Sequence, residues 1–317
     1  MTTLETLSSR AVVGMYYEAL AAQSGMGWMD AVSNYFTSDQ ASETYPWVGM
    51  PPALREWIGG RNAKGFSANG VEIRNKHFEA TIEILLKDLR RDKTGQLRAR
   101  MSELAERGNT HFASLLSTLI VGGEATVCYD GQYFFDTDHS EGSSGTLSND
   151  ITTDISALPA SVHGAAVTAP SPEEMQQAIL NSVAQLFTFK DEHGEPLNET
   201  AANFMVMVPV GLSSAARAGL STARAAGPST FAVDGMNISL AVNPRLTAGG
   251  WTDKFVTFRA DGSIKPLIRQ EETSPDLKLK DETSEYAFDN DAIQVGIDTW
   301  RNVGYGRWQG AVLNTLV

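Results

Sequence analysis

Residues 69–84 read NGVEIRNKHFEATIEI, and the spacing of their apolar side chains decides how this chain is laid out. Apolar residues occupy odd positions up to Ile73 and even positions from Phe78 to Ile84. Successive side chains of a strand point to opposite faces, so the change of phase near Asn75 predicts a bulge or bend where the strand changes its environment. The Asn-Gly pair at the start of the stretch is a strong turn signal.

A strand over residues 71–84 would be about 46 Å long at roughly 3.3 Å per residue, which is about twice the usual length. A compact domain has little use for such a strand, whereas a hairpin arm that leaves its own domain would need one. The preceding residues 44–62, TYPWVGMPPALREWIGGRN, are rich in Trp, Pro and Gly and lack the pattern of a long helix. We therefore expect an extended hairpin over residues 46–82.

Charged side chains of both signs are concentrated in the distal half of this hairpin. Such a mixture suits pairing with the surface of a neighbouring subunit. It is equally typical of a solvated hairpin, whose exposed ion pairs contribute little. The charge pattern alone leaves both interpretations open. The candidates for contacts between subunits are Arg55, Glu56, Trp57, Arg61, Lys64, Glu72, Arg74 and Lys76.

The longest helical pattern covers residues 95–120, where one apolar stripe predicts an amphipathic helix about 39 Å long. Thr94 is the expected N-cap, and Gly122-Gly123 is expected to end the helix. A shorter helix is predicted over residues 7–22, followed by a break that contains glycine. The stripe of the long helix consists of Leu97, Met101, Leu104, Ala105, Gly108, Phe112, Leu115, Leu116 and Leu119.

The remaining chain mixes helices and strands without regular alternation. TVCYDGQYFF (126–135) reads as a strand, and FMVMVPV (204–210) reads as a buried strand. Ser171, followed by Pro and two Glu, predicts a capped helix. Hairpins are expected over 187–198 and at the Asp-Gly pair that begins with Asp261. The mixture places the chain in the α+β class.

The composition is that of an ordinary globular protein of 317 residues, of which 42 % are hydrophobic and 20 % charged. Its net charge of −13 argues against a surface that grips nucleic acid, although an acidic wall could lie near DNA without binding it. No apolar run approaches roughly 18 residues, so no membrane span is expected, and the N-terminus does not resemble a secretory signal. Cys128 is the only cysteine, which excludes intrachain disulfides and suits a reducing cytoplasm.

One short stretch, CYDGQYFFDTDHS at residues 128–140, carries side chains of the metal-ligand type. Asp136, Asp138 and His139 supply carboxylate and imidazole groups, so a metal-dependent hydrolase is an alternative function. A catalytic metal needs about three ligands held rigidly by converging elements, whereas these residues begin a loop rich in Gly and Ser over 136–156. The other interpretation is that the two aspartates bond to the backbone of a turn.

Further sequence signatures of catalysis are missing. The chain has no Gly-x-x-x-x-Gly-Lys-Ser/Thr phosphate loop, no Gly-x-Ser-x-Gly elbow and no His-Glu-x-x-His pair. Cys128 lies in an apolar context typical of an inert buried thiol. We therefore predict no enzyme activity and assign no catalytic, cofactor-binding or metal-binding residue.

Four stretches carry a resemblance to a known family: SETYPWVG (42–49), REWIGGR (55–61), FEATIEILLKDLRRDKTG (78–95) and CYDGQYFFDTDH (128–139). On these stretches the sequence resembles the major head subunit of Mu-like phages and prophages, and the resemblance runs from about residue 10 to the end. That family is similar in architecture to the Hong Kong 97-type capsid proteins of tailed phages.

The resemblance implies a name for each part of the chain. Residues 1–45 would be an N-terminal arm, and 46–82 would be the extended loop that lies over a neighbouring subunit. Residues 83–124 would be the first part of the peripheral domain, with the long helix as its spine. Residues 125–250 would form the axial domain at the centre of a capsomer, and 251–317 would return to complete the peripheral domain.

The resemblance also implies a function without enzymatic chemistry. The chain would be a major capsid protein whose pentamers and hexamers close into an icosahedral shell around double-stranded DNA. Implied partners are a separate scaffold protein and a maturation protease during assembly, a portal at one vertex and, optionally, a decoration protein. DNA would be packaged without specific binding, and no membrane or cofactor is implied. Assembly would take place in the cytoplasm of the host bacterium, and the finished subunit would reside in the virion.

This interpretation expects the ribbon over residues 50–80 to be covered by an adjacent copy rather than by its own core. Each such contact would bury surface that a lone subunit leaves exposed, and a closed shell would repeat it many times. A tail or decoration protein is a further alternative, against which the long helix after an extended hairpin argues.

Overall fold

The computed structural model describes residues 9–22, 27–45, 70–91, 95–225 and 236–317. Within these ranges the α-helices are α1 (Ser9–Ala22), α2 (Gly27–Val32), α3 (Leu86–Arg91), α4 (Gln96–Val121), α5 (Pro172–Phe187), α6 (Ser213–Ala225), α7 (Pro244–Ala248) and α8 (Glu285–Asn290). The strands are β1 (Ser33–Thr37), β2 (Ser42–Tyr45), β3 (Val71–Arg74), β4 (Lys76–Leu85), β5 (Asp150–Thr153), β6 (Asn203–Val208), β7 (Asn237–Val242), β8 (Lys254–Arg259), β9 (Leu267–Lys280), β10 (Ala292–Tyr305) and β11 (Ala311–Leu316). Short 3₁₀ turns cover Gly122–Glu124, Ile155–Ala157, Val210–Leu212 and Trp308–Gly310.

Two larger sheets and one short ribbon organise the strands. The five-stranded sheet has the order β5-β11-β8-β6-β7, and the four-stranded sheet has the order β1-β9-β10-β4. β2 and β3 form a separate antiparallel pair. Both larger sheets combine parallel with antiparallel neighbours: β6 runs parallel to β7, and β1 runs parallel to β9. This mixture of helices and strands agrees with the α+β class expected from the sequence.

Helix α4 joins the two hydrophobic cores of the molecule through the apolar stripe that predicts it. Its first half packs Met101 and Leu104 among residues of α1, β4 and β10. Its second half packs Phe112, Leu116 and Ile120 into the larger core around the five-stranded sheet. The helix has 26 residues and is therefore about 39 Å long. No helix of the described ranges, α4 included, combines the length and the apolar character needed to cross a membrane.

The two helix starts that the sequence singles out behave differently. Ser171 caps α5 as predicted, because its hydroxyl accepts the Glu174 N–H while the Glu174 carboxylate accepts the Ser171 N–H at 2.8 Å. For α4, the prediction of Thr94 as N-cap is wrong: Gly95 holds that position with a left-handed backbone at φ 74°. Glycine adopts this conformation without the steric conflict that a Cβ atom would bring. The predicted end of α4 at Gly122 is confirmed.

The described part of the expected N-terminal arm packs on its own chain. Val12 and Tyr16 of α1 are fully buried beside α4. β1 adds a parallel edge strand to β9, with Ser33 opposite Leu267. This part of the chain therefore extends both the second core and the four-stranded sheet of the same subunit.

The phase change near Asn75 marks a break between two strands, as the sequence predicts. β3 ends at Arg74 and pairs with β2, whereas β4 begins at Lys76 and pairs with β10. Asn75 is held at the break because its N–H donates to the Ala41 carbonyl at 2.9 Å. The expectation that the ribbon over residues 50–80 lies free of its own core is wrong for its described part, 70–80. There β3 pairs with β2 and β4 pairs with β10 of the same chain.

The reversal expected over 187–198 does form, because Lys190 and Pro196 pair in an antiparallel bridge.

Two other expected strand features do not form. Residues 126–135 fold back through one isolated bridge and do not form a regular strand. The Asp-Gly pair that begins with Asp261 does not close a hairpin, because β8 before it lies in the five-stranded sheet and β9 after it lies in the four-stranded sheet. Glycine and aspartate at these places predict a reversal of direction, but not which strands the reversal pairs.

The C-terminal part of the chain crosses between the two large sheets. β8 and β11 lie in the five-stranded sheet with β5, β6 and β7, whereas β9 and β10 lie in the four-stranded sheet. The expected boundary between the segments 125–250 and 251–317 therefore does not coincide with the division between the two sheets. The chain leaves the five-stranded sheet after β8 and returns to it with β11.

Candidate functional site

The described start and end of the predicted hairpin are the paired strands β2 and β3. We call this pair, together with Asn75, the ribbon base. Tyr45 of β2 faces Val71 of β3 across the antiparallel pair. Five of the predicted contact residues lie outside the described residues: Arg55, Glu56, Trp57, Arg61 and Lys64. The other three are described and have exposed side chains: Glu72 and Arg74 on β3, and Lys76 at the start of β4.

A buried glutamine fixes the base of the ribbon to the four-stranded sheet. Gln270 of β9 is fully buried. Its Nε2 donates to the Ile73 carbonyl at 3.2 Å and to Asn75 Oδ1 at 2.9 Å, and its Oε1 accepts the Tyr45 hydroxyl at 2.7 Å. One side-chain amide therefore bonds three residues of the ribbon base, and its own buried polar atoms are all paired.

A buried arginine beside the ribbon base holds α4 on the four-stranded sheet. Arg301 of β10 is 2 % exposed, and its guanidinium carbon lies 4.7 Å from the centre of the Phe112 ring. Its Nε lies 2.8 Å from the Thr299 hydroxyl and 3.7 Å from Glu271 Oε1. Burial lowers the pKa of Arg301, and the Glu271 carboxylate opposes that effect. Removing Glu271 would leave the buried guanidinium without its carboxylate partner, and the contact with Phe112 joins β10 to α4.

The second candidate region is the loop after α4, whose backbone folds into tight turns. The Cys128 N–H donates to the Gln132 carbonyl at 2.8 Å, and the Gly131 N–H donates to the Cys128 carbonyl at 3.2 Å. Gly131 has a φ of 92°, which glycine adopts readily. Further along, the Leu147 N–H donates to the His139 carbonyl at 2.8 Å. These turns bring the two ends of the stretch 128–140 together.

His139 is the centre of this loop and is fully buried. Its Nδ1 lies 2.6 Å from Asp130 Oδ2, and its Nε2 lies 3.2 Å from Asn149 Oδ1. Its ring stacks on the Trp308 ring, with centres 3.9 Å apart and planes 10° apart. The Cys128 thiol donates to the other carboxylate oxygen of Asp130, at 2.9 Å.

The contacts of Asp130 shift two pKa values. Burial pushes the pKa of the Asp130 carboxyl upwards, but the hydrogen bonds from His139 and Cys128 outweigh it and hold that pKa below its usual value. Burial, reinforced by the bond to Asp130, raises the pKa of the Cys128 thiol well above its usual range. At neutral pH the carboxyl is therefore ionised and the thiol protonated, which agrees with the expectation of an unreactive cysteine.

The three residues of the alternative metal-dependent function do not converge on one point. Asp136 bonds to turn backbone instead: its Oδ1 accepts the Thr137 N–H at 2.7 Å, and its Oδ2 accepts the Tyr133 N–H at 3.2 Å. Asp138 is exposed, whereas His139 is buried and contacts Asp130. The arrangement therefore does not support a hydrolase site built on Asp136, Asp138 and His139.

Sequence reasoning missed Asp130, Asn149 and Trp308 as the partners of His139. A signal for Asp130 existed, because it lies in a Cys-Tyr-Asp-Gly turn only nine positions before His139. Asn149 and Trp308 carried no such signal. Their contacts depend on where β5 and β11 lie in the five-stranded sheet, which no local pattern specifies.

An exposed aromatic side chain marks a third surface. Phe288 of α8 is 91 % exposed. The helix that carries it is well formed, because the Ser284 hydroxyl accepts the Ala287 N–H and the Asp291 carbonyl accepts the Leu86 N–H at 2.9 Å. An aromatic side chain can bury about 150–250 Å² when it meets a partner. A phenylalanine held this far into solvent on a fixed helix is therefore a candidate contact with another molecule.

Comparison with known proteins identifies a family match over most of the chain. A model of the family described as the Mu-like prophage major head subunit gpT matches residues 8–158 and 246–315. The chain is 25 % identical to the Mu-like prophage FluMu major head subunit of Haemophilus influenzae, over 88 % of this chain and 63 % of that protein. It is 35 % identical to the major capsid protein of Escherichia phage Mu, over 36 % of this chain and 39 % of that protein. The aligned part thus spans less than two thirds of either relative's length.

Solved capsid structures share the fold. A chain from the procapsid of bacteriophage JBD30 matches with a TM-score of 0.56 and 25 % identity, over 96 % of this chain and 72 % of that one. A chain from the capsid of cyanophage P-SCSP1u matches with a TM-score of 0.56 and 12 % identity, over 93 % of this chain and 89 % of that one. A chain of the virus-like particle from Pyrococcus furiosus matches with a TM-score of 0.52 and 9 % identity, over 98 % of this chain and 100 % of that one. The last two similarities concern the fold alone.

Proposed function

Because the chain belongs to the family of the Mu-like prophage major head subunit gpT, we propose that it is the major capsid protein of a Mu-like tailed phage or prophage. Copies assemble into pentamers and hexamers of an icosahedral shell that encloses double-stranded DNA. The observation that carries the proposal is the family match over residues 8–158 and 246–315, which include α4 and the C-terminal strands. Similarity to the JBD30 procapsid chain over 96 % of this chain supports it.

The finer architecture is part of the proposal and follows the Hong Kong 97-type plan. Residues 1–45 are the N-terminal arm, and 46–82 are the extended loop. Residues 83–124 and 251–317 form the peripheral domain, with α4 as its spine, and 125–250 form the axial domain. The four-stranded sheet against α4 supports a peripheral unit, and β5, β6 and β7 support an axial one. β8 and β11 complete the axial sheet although they belong to the last of these segments.

The extended loop contacts a neighbouring copy in this proposal. Its base is fixed to the four-stranded sheet by Gln270. Because the described part of the ribbon packs on its own chain, contact with a neighbour is assigned to residues 46–69 and to the exposed side chains of the base. The proposed contact residues are Arg55, Glu56, Trp57, Arg61, Lys64, Glu72, Arg74 and Lys76.

Phe288 provides a second proposed contact between copies. Its ring is 91 % exposed, and carboxylates at Glu285, Asp289 and Asp291 surround it in the sequence. An apolar ring inside an acidic rim suits a partner surface with an apolar pocket and basic edges. Basic side chains of this kind occur on α3 and α4 of another copy, at Lys87, Arg90, Arg91, Arg98 and Arg100.

The remaining partners follow from the same proposal. A scaffold protein and a maturation protease act during assembly in the cytoplasm of the host bacterium, a portal occupies one vertex, and a decoration protein is an optional addition. The finished subunit resides in the virion. The net charge of −13 suits a wall that encloses DNA without binding it specifically. The subunit has a structural role and no catalytic one.

Co-expression with the scaffold protein of the same phage, followed by negative-stain microscopy, tests the proposal. Closed particles of uniform diameter are expected. Monomers or dimers alone would contradict the proposal, and tubes would indicate a tail protein instead. An activity that requires a bound metal and is lost in Asp136→Asn and His139→Gln would favour the hydrolase alternative.

A further inference from the structure

Three ligand-type side chains meet in the loop after α4 and belong to no contact that the proposed function uses. They are Cys128, Asp130 and His139, whose Sγ, carboxylate oxygen and ring nitrogen lie within 4.8 Å of one another. They come from both arms of the folded stretch 128–140, so they converge on one point. Thiolate, carboxylate and imidazole are together a ligand set that Zn²⁺ accepts.

The neighbouring hydrogen bonds determine which nitrogen of His139 faces this point. Asn149 Nδ2 donates to the Phe134 carbonyl at 2.8 Å, and its Oδ1 accepts the Asp136 N–H at 2.9 Å. These two bonds fix the orientation of the Asn149 amide. His139 Nε2 therefore donates its proton to Asn149 Oδ1, and Nδ1 is left for Asp130. A metal-bound histidine characteristically donates its second ring N–H to such an acceptor.

The three ligand groups balance the charge of one divalent cation. Thiolate, carboxylate and neutral imidazole carry −2 together, and the ion carries +2. The occupied site therefore adds no net charge to a buried position, which avoids the free-energy cost of such a charge. Binding requires Sγ and Nδ1 to be free of protons, so any proton that either atom carries leaves to solvent.

We propose that Cys128, Asp130 and His139 bind one Zn²⁺ ion through Sγ, a carboxylate oxygen and Nδ1. Within the described ranges the group contains no fourth protein ligand, so water completes a tetrahedral site. The half-buried Cys128 leaves a path for the ion, while His139 closes the inner side against Trp308. The ion joins the two arms of the stretch 128–140 and has a structural role.

This site differs from that of the alternative hydrolase function, with which it shares only His139. Asp136 and Asp138 are not ligands, and the proposal implies no hydrolysis. It is also independent of the proposed capsid function, because metal binding is measured on the isolated full-length subunit.

Titration of the full-length protein with Zn²⁺ and with Co²⁺ tests the site. We expect one Zn²⁺ per chain and a release of protons as the Cys128 thiolate forms, measured by calorimetry in two buffers of different ionisation enthalpy. We expect Co²⁺ to produce an absorption band of thiolate-to-cobalt charge transfer. Cys128→Ser should abolish that band, and Asn149→Ala should weaken zinc binding about 10- to 100-fold because it removes the acceptor of the ring N–H.

Asp138→Asn is the matched control, since it removes an exposed carboxylate of the same loop and should leave affinity and band unchanged. Circular dichroism shows whether each variant is folded. Because the Co²⁺ band is read on the unmodified protein, the test does not depend on variants that fold. The absence of that band, or zinc binding of equal affinity in folded Cys128→Ser, would overturn the proposal.

Discussion

Ile73 lies directly on Gly304, so that a Cβ atom at position 304 would be only 2.5 Å from Ile73 Cδ1. Gly304 is on β10, opposite Ile268 of β9, and Ile73 is on β3. Ile73, Ile268 and Tyr45 form a small buried cluster of their own. The absence of a side chain at Gly304 thus lets the ribbon base lie directly on the four-stranded sheet.

Gly304→Ala should destabilise the subunit by about 1–3 kcal/mol, because the new methyl group overpacks a buried contact. Ile73→Val removes the Cδ1 atom that clashes, so it should restore part of the loss when combined with Gly304→Ala. Alone, Ile73→Val should lower the free energy of unfolding by about 0.5–1.5 kcal/mol. Urea unfolding of the four proteins measures the coupling between the two positions.

Gly14→Ala is the control for this experiment. A Cβ atom there meets nothing within 4 Å, and alanine favours the interior of helix α1 by up to about 1 kcal/mol over glycine. Gly14→Ala should therefore be neutral or stabilising. Equal stability of Gly304→Ala and the unmodified protein, or additive effects of the two ribbon substitutions, would contradict the close packing.

Glu174 should make the subunit sensitive to acid. Its buried carboxylate accepts the N–H groups of Ser171 and Gly164 and the His163 ring at 2.7 Å. Burial alone would raise the pKa of Glu174, but these bonds outweigh it and hold the pKa below its usual 4.5. A lowered folded pKa means that the stabilisation is complete above the unfolded value and is lost as the pH falls through the folded value.

Glu174→Gln keeps a side chain that can complete the capping box but removes the titration. We expect the variant to be less stable than the unmodified protein at neutral pH. The difference should shrink as the pH falls below 4.5. Urea unfolding between neutral pH and about pH 3 measures both curves. A constant difference at all pH values would show that Glu174 does not contribute through its charge.

Phe288 should matter for assembly and not for folding. Because its ring is 91 % exposed, Phe288→Ser should change the free energy of unfolding by less than about 0.5 kcal/mol. In the assembled shell the ring would bury apolar surface, so loss of that contact in every subunit should reduce the yield of closed particles. Light scattering and negative-stain microscopy of particles formed with the scaffold protein measure the yield.

Phe288→Leu is the conservative partner of this variant, since it retains an apolar side chain. It should preserve most of the particle yield. If Phe288→Ser assembled as well as the unmodified protein, Phe288 would not be a contact between copies. If it unfolded the isolated subunit, the side chain would have a role in folding that its exposure does not suggest.

Patterns within short stretches of sequence correctly predicted one helix, the start of another and one break between strands. The stripe that includes Met101 and Leu116 predicted α4, the Ser171 motif predicted the start of α5, and the phase change at Asn75 predicted the break between β3 and β4. In the two helices, contacts within a few positions determine the conformation, whereas at Asn75 the alternation of apolar side chains reflects a change of distant strand partners. The N-cap of α4 was misassigned because Gly95 adopts a left-handed backbone that propensity for side-chain caps does not anticipate.

Contacts between distant segments could not be read in this way. The Asp-Gly pair after β8 predicted a reversal, but the sheet that each strand joins depends on long-range pairing. The same limit applies to His139, since Trp308 approaches it from the far end of the chain. The sequence therefore indicated which residue types carry chemistry in the loop, and the fold determined that Asp130, rather than Asp136 or Asp138, is the partner of His139.

The exposed base of the ribbon allows a test of its electrostatic contact with a neighbour. Arg74 is exposed on β3, and its backbone carbonyl accepts the Asn302 side chain at 2.7 Å, a bond that does not involve the guanidinium. Arg74→Glu should therefore fold normally but assemble less well, because reversed charge repels a complementary surface. Raising the salt concentration should reduce the difference, since exposed charges are screened beyond about 10 Å at 0.1 M.

Lys190→Glu supplies the matched control, because it makes the same change of charge at an exposed position outside residues 46–82. Particle yield and unfolding free energy are measured for both variants at low and high salt. A loss confined to Arg74→Glu and relieved by salt is the expected result. An equal loss in both variants would mean that total negative charge opposes assembly, and the contact assigned to Arg74 would then have to be given up.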